Sequence, residues 1–415
     1  MTNQAVPRII GIDQLSDETA LVREDKMFVR EAVNVDIDAE NNISRRKGAT
    51  VQLPGMGYHS LYSSSRGLLM LCYKNLLGVY TPETATFAPL ILMDDAYTTS
   101  FTEVNQTLYA MNPSFSCMFL PGSGTPKPLG VPLPTVEVEF SVISSGAMEE
   151  GSYGIAYSVV DPDGEESGLS RVIKLTLEAG QGVLANMLMI MPGYKYRIYM
   201  TTANGEELRQ ALELDADTIS VQILAPEEGR QAETFGLEPP PYGYMIRSFG
   251  ARLLIASFDG HIYYTEAFRP HLYAPENSIA VEGYASLVES VNDGVFIGDR
   301  YGVRFYKGDD PSDWVVENAS PERAIFNTGT TVSGSFFGGE LEQYDSVAVW
   351  LTQSGYQVGL PSGKVMRLNA DQLKTPAYVQ GCSVVSIFDG RKQVITAVNS
   401  NELADASVAL DSTTI

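Results

Sequence analysis

Apolar and polar positions come in short paired bursts along this chain. The stretch Leu253-Leu-Ile-Ala-Ser-Phe-Asp-Gly-His-Ile-Tyr-Tyr264 shows the unit: an apolar run, a Phe-Asp-Gly turn, and a second run ending in two tyrosines. Asp-Gly between hydrophobic runs predicts a β-hairpin, because glycine takes the positive φ that a tight turn requires. The pattern recurs at residues 68–80, 107–119, 295–306, 347–358 and 384–395. An isolated hairpin is marginal in water and must pack on something. Successive starts lie about 40, 145, 42, 52 and 37 residues apart. A repeat of roughly 40–50 residues with four short strands in each is the pattern of a β-propeller.

The hairpins predict blades at residues 57–92, 97–132, 243–282, 284–322 and 325–370. Residues 379–398 supply only half a blade, and residues 31–53 read as a second hairpin. Joined, they would make a sixth blade from the two chain ends and leave no sheet edge open. The expected fold is therefore all-β, a propeller of six blades (five to seven), closed by the N-terminal hairpin.

The long gap holds a block of different character. The Pro/Gly-rich stretch from Pro121 to Pro134 precedes it, and Glu238-Pro-Pro-Pro-Tyr242 follows it as a stiff exit. Residues 134–238 read as about seven strands, the size of an immunoglobulin-like sandwich. The block resembles a fibronectin type III module, with Tyr153 to Tyr157 and Tyr196 to Tyr199 in place of that family's "Y-x-I-x-Y" and "Y-x-I-Y" strands. The organisation expected is an N-terminal arm (1–30, with a short helix near 16–23), a first propeller segment (31–133), the insertion (134–238), a second propeller segment (239–398) and a polar tail (399–415). The tail is expected to order on a partner.

Charge narrows the function. The formal net charge is −23, which argues against an outer surface that grips nucleic acid through phosphates. Between Leu133 and Leu237 there are 17 Asp and Glu against 6 Lys and Arg, so the insertion holds about half of the excess. No apolar run is long enough for a membrane helix, and the first residues lack an apolar signal core.

Candidate chemistry is sparse. The histidines are His59, His261 and His271, none in a Ser/His/Asp or metal-binding pattern. Asp36, Asp38 and Glu40 alternate near Asn42 but lack the glycine and distal glutamate of a calcium loop. Cys72, Cys117 and Cys382 fall inside predicted strands and read as buried thiols. No catalytic residue, metal ligand or cofactor is expected. Asp299, Asp309 and Asp310, in blade turns, are candidates for a channel-facing acidic wall.

One phrase carries a resemblance. Gly11-Ile-Asp13, then Arg30-Glu-Ala-Val-Asn-Val-Asp-Ile-Asp38, then Ile43-Ser-Arg-Arg-Lys-Gly48 is similar to the opening of tailed-bacteriophage virion proteins, in which blades follow. The turn at Glu40-Asn-Asn42 departs from the family in lacking glycine. The resemblance implies a non-enzymatic nozzle or hub subunit, forming a ring of copies around the DNA exit channel. Its partners would be copies of itself and other tail, connector and fibre proteins. DNA would pass without specific binding, and the protein would reside in the virion after assembly in the host cytoplasm. Two alternatives remain: a receptor- or glycan-binding module, marked by exposed aromatics on the insertion, and a propeller glycosidase or lyase, marked by paired carboxylates in the channel.

Overall fold

The computed structural model of the chain describes residues 8–23, 26–33, 35–37, 43–45, 50–135, 138–187, 192–225, 229–368, 378–388 and 391–400. Five four-stranded antiparallel sheets follow one another, each an up-and-down meander with its strands in chain order. Blade 1 is Tyr58–Ser63, Leu69–Tyr73, Leu76–Thr81 and Thr86–Leu92. Blade 2 is Ser100–Val104, Thr107–Asn112, Phe115–Phe119 and Lys127–Pro128. Blade 3 is Met245–Phe249, Arg252–Ala256, His261–Tyr264 and Ser278–Ala280. Blade 4 is Leu287–Val291, Gly294–Asp299, Gly302–Lys307 and Val315–Ser320. Blade 5 is Thr330–Val332, Val347–Thr352, Gly355–Gly359 and Val365–Arg367.

Five of the six repeated apolar hairpins, all but that at 384–395, are the central strand pairs of these blades. Gly260 closes the blade 3 turn at φ +83°. Successive side chains of a strand point to opposite faces, and here both faces are covered. Leu253 and Ile255 pack on Tyr109, Met111 and Met118 of blade 2. Leu254 and Ala256, one position over, pack on Val288, Val295 and Ile297 of blade 4. The same sharing joins blade 1 to blade 2 through Met70, Cys72, Leu108 and Cys117. It joins blade 4 to blade 5 through Phe296, Phe305 and the fully buried Trp350. The first strands of blades 2 to 5 pack against one another, which makes them the innermost strands of a β-propeller arrangement.

The chain ends differ from expectation. Tyr378–Phe388 and Arg391–Ser400 form a hairpin of their own, and Val35–Ile37 pairs only with Ile43–Arg45. Among the described residues no ladder unites the two hairpins into a sixth blade. The two strands of the C-terminal hairpin pair with each other along their length. In the N-terminal pair, Ile43, Ser44 and Arg45 are exposed. The C-terminal hairpin instead covers blade 5 with Val385 and Val394, and Gly381 N donates to Phe326 O at 2.9 Å. Its other face stays open, so Cys382 is exposed rather than buried, beside Val384 at 58% and Ile395 at 49% exposure.

The arm is more ordered than a free extension: Arg8–Ile12, Lys26–Val29 and Val22–Arg23 form a three-stranded sheet. The short helix expected there is a single 3-10 turn, Glu18–Ala20. Asp38, Glu40 and Asn42, the turn at 389–390 and the tail from 401 lie outside the described residues.

The insertion is a two-layer sandwich. One sheet has Glu139–Ile143, Gly182–Asn186 and Ser220–Ile223 in that order, and the other has Ile173–Leu177, Gly151–Val160, Lys195–Met200 and Arg209–Asp215. Tyr153, Ile155, Tyr157 and Val159 point into the core with Tyr196 and Ile198. The two tyrosine-rich strands are hydrogen-bonded neighbours, with Tyr157 opposite Ile198.

Candidate functional site

The innermost strands carry a connected set of polar side chains. Arg247, between Ile246 and Ser248 on blade 3, donates from Nη1 to Ser100 Oγ of blade 2 at 3.1 Å. Its Nε donates to Glu289 Oε1 of blade 4, also at 3.1 Å. Thr331 Oγ of blade 5 donates to the other oxygen of Glu289 at 3.0 Å. The Glu289 side chain is 5% exposed and that of Arg247 20%. A buried carboxylate is tolerable only when paired in this way. Gly329 makes the room: a Cβ there would sit 2.6 Å from Glu289 Oε1. Further round the arc, Ser383 Oγ of the C-terminal hairpin donates to Thr328 O at 2.6 Å. Toward blade 1, Glu103 accepts from Ser65 N at 2.9 Å. The Tyr62 phenol nearby is pushed up to about 12 by burial and by Glu103, with Arg247 acting against the shift.

This axial set holds two carboxylates and one guanidinium. It is not a basic groove. At one end of the innermost strands of blades 3 and 4 opens a cleft of about 520 Å³, lined by Ser248, Ser290, Asn292, Asp309 and Ser346 among others. Of the three candidate aspartates, Asp309 lines this cleft. Asp299 is buried in the central turn of blade 4, bonded to Tyr301 N and paired with Arg304. Asp310 caps the 3-10 turn Pro311–Asp313 and pairs with Arg252 at 2.8 Å. Neither lies on an innermost strand. The Ser312 amide and then its hydroxyl hold the Asp310 carboxyl below the usual range, with Arg252 adding to it.

A second cluster fixes the insertion to the blades. Lys127, on the last strand of blade 2, reaches Asp161, Asp163 and Glu165 at 2.8, 2.9 and 2.8 Å. These three belong to the Asp-Pro-Asp-Gly-Glu turn that follows Gly151–Val160, where Gly164 adopts φ +88°. His271 of blade 3 lies 3.8 Å from Glu165 and is 12% exposed. Burial, then the Lys127 charge, depresses its imidazole to about 4, so it is neutral at pH 7. Close packing completes the seam: a Cβ on Gly168 would meet Leu237 O at 1.8 Å, and one on Gly130 would meet Pro239 Cβ at 2.8 Å.

The other histidines are structural in their contacts. His59 bridges Ser60 Oγ and Lys74 O at 2.8 Å each, and His261 lies 3.6 Å from Asp259. Among the described residues there is no group of three His, Cys, Asp or Glu placed to hold a metal ion, and no helix long and apolar enough to cross a membrane. Burial pushes the Cys117 and Cys72 thiols up, which keeps them protonated.

Sequence reasoning passed over Arg247, Glu289 and Lys127. A signal existed for the first two: each interrupts an otherwise β-forming run, Met-Ile-Arg-Ser-Phe and Leu-Val-Glu-Ser-Val. Nothing local marked Lys127, whose partners are 34 to 38 positions away.

No family model matches the chain, and no curated protein matches it. Solved structures with similar arrangement include BBS1N in complex with ARL6DN, at 12% identity over 82% of this chain and 86% of that one, TM-score 0.30. Another is the β-propeller domain of Cps50 (Swd1) from Myceliophteria thermophila, at 8% identity over 83% and 98%, TM-score 0.33. The N-terminal domain of Nup159 gives 11% over 80% and 71%, TM-score 0.27. Likeness at this level adds nothing to the fold already read from the sheets.

Proposed function

We propose that the protein is a structural subunit of a bacteriophage tail, a nozzle, hub or connector component that assembles as a ring of copies around the DNA exit channel. The observation that carries this reading is the phrase from Arg30 to Gly48, placed directly ahead of a run of propeller blades. Such function is argued by resemblance, since a propeller by itself serves many tasks. Two features support it. The axial set has more carboxylates than cations, so a duplex would meet no groove that binds phosphate. The net charge of −23 acts in the same direction. Against the propeller-enzyme alternative, the Glu289 carboxylate is held by Arg247 and Thr331.

The insertion is proposed as a fibronectin type III-like module that decorates the ring or docks a neighbour. Its three-plus-four sheets and its paired tyrosine strands support that assignment. Peptide mass spectrometry of gradient-purified parent particles tests the function. A tail subunit must be present at a fixed stoichiometry in the particle. Its absence from particles, with abundance in the infected-cell lysate, would defeat the reading.

A further inference from the structure

The four-stranded sheet of the sandwich carries a cleft on its outer face. Strand Gly151–Val160 turns Tyr153, Ile155 and Tyr157 inward, so Ser152, Gly154 and Ala156 face out. Gly154 brings no side chain to that face, and Val172 Cγ1 and Thr201 Cγ2 close to within 3.1 and 3.3 Å of where its Cβ would be. The resulting cleft has a volume of about 620 Å³, within the range of small-molecule sites. Phe235 lines it with its ring 62% exposed.

The polar groups around this gap have spare bonding capacity. Asn204 Oδ1 accepts from Ser152 N at 3.1 Å, and its Nδ2 donors have no partner among the described residues. Thr201 Oγ1 accepts from Gly154 N at 2.9 Å, which leaves its own proton to donate. Lys174 and Glu206 line the cleft and make no ion pair among the described residues. Glu207, also in the lining, is paired with Arg209, and on the neighbouring strands Lys195 and Arg197 pair with Glu213. Lys174 and Glu206 thus share the cleft with the bare aromatic ring.

We propose that this cleft binds a saccharide chain. A pyranose has a flat C–H face and a rim of hydroxyls. The face covers Phe235, and the hydroxyls meet Asn204, Thr201, Glu206 and Lys174. Other ligands fit less well. A phosphate or nucleic acid would meet one lysine against two glutamates, in a block of net charge −11. A peptide strand needs a free sheet edge, and the cleft lies over a face. An apolar molecule would bury the lysine and glutamate unpaired. A single such site is weak, and copies held in a ring would multiply it by avidity. The inference goes beyond the tail-subunit reading and stands without it.

Saturation-transfer difference NMR on the full chain tests it, with hexasaccharides of glucose, mannose, galactose and N-acetylglucosamine as probes. Transfer to at least one is expected. Phe235→Ala should weaken it at least tenfold, Phe235→Trp should retain it, and Lys174→Ala or Asn204→Ala should reduce it several-fold. Tyr301→Ala removes an exposed aromatic of blade 4 and should leave the signal unchanged. No transfer to any of the four probes overturns the proposal. So does transfer that survives Phe235→Ala, or that falls equally with Tyr301→Ala.

Discussion

Replacing Lys127 by Met should loosen the insertion from the propeller in a pH-dependent way. Methionine keeps most of the apolar stem and removes the ammonium. Three carboxylates then face one another, of which Asp161 and Glu165 are 9% and 19% exposed and Asp163 is 47% exposed. Removing one partner of a buried pair costs about 3–5 kcal/mol, whereas an exposed pair contributes about 0.2–1 kcal/mol. The cluster lies between these limits, and Asp163 can turn to water, so a loss of about 3 kcal/mol is expected at neutral pH. Burial, with Asp161 and Asp163 adding to it, already pushes the Glu165 carboxyl up against the pull of Lys127. The lysine stabilises only ionised partners. Its own proton affinity is raised, so on its side the contribution persists throughout the range below its ordinary pKa. On the carboxylate side, the advantage of the native chain must fade as pH falls and Glu165, whose carboxyl is already pushed up, takes on a proton. Urea unfolding followed by circular dichroism at pH 7 and pH 4 measures this, with hydrogen exchange across residues 161–171 to localise it. A difference under about 0.5 kcal/mol at pH 7 would refute the reasoning. An equal difference at both pH values would too, since it would indicate lost packing rather than lost charge.

Four further outcomes follow from the same contacts. His271, depressed to about 4, leaves the folded chain short of a proton that the unfolded chain binds; stability should fall by up to about 3 kcal/mol as pH drops from 6.5 to 4, and His271→Gln should flatten that slope. Trp350→Ala empties the seam between blades 4 and 5 and should cost about 3–5 kcal/mol by urea unfolding. Gly329→Ala should destabilise by about 1–3 kcal/mol, because its Cβ would press on Leu287 and Glu289. The wild-type protein should show no duplex DNA binding at physiological salt in a fluorescence anisotropy titration, and tight, steeply salt-dependent binding would move the function toward nucleic-acid recognition.

The central strand pairs were legible because neighbours bury both of their faces. Leu253 to Ala256 and Val347 to Thr352 are therefore continuous apolar runs with turn residues at their ends, a strong local signal. The innermost strands were less legible. They mix core residues with axial polar ones, so Ser100–Val104 and Thr330–Val332 carry little pattern of their own. Pairing between chain ends is not a local property, and there the described residues form two separate hairpins with no ladder between them. Cys382 was misjudged for a related reason: a hairpin at the end of a row of blades has one covered face. The axial pair of Arg247 and Glu289 forms only when two blades stack, since its members stand 42 positions apart.

The central claim, a ring subunit around a DNA channel, is tested most directly by imaging the tail of the parent particle by electron microscopy. A ring subunit predicts propeller-shaped density repeated around the tail axis, with a sandwich domain on each copy and an open channel at the centre. Tails that lack this density, together with a purified protein that stays a single copy at all concentrations, would contradict it.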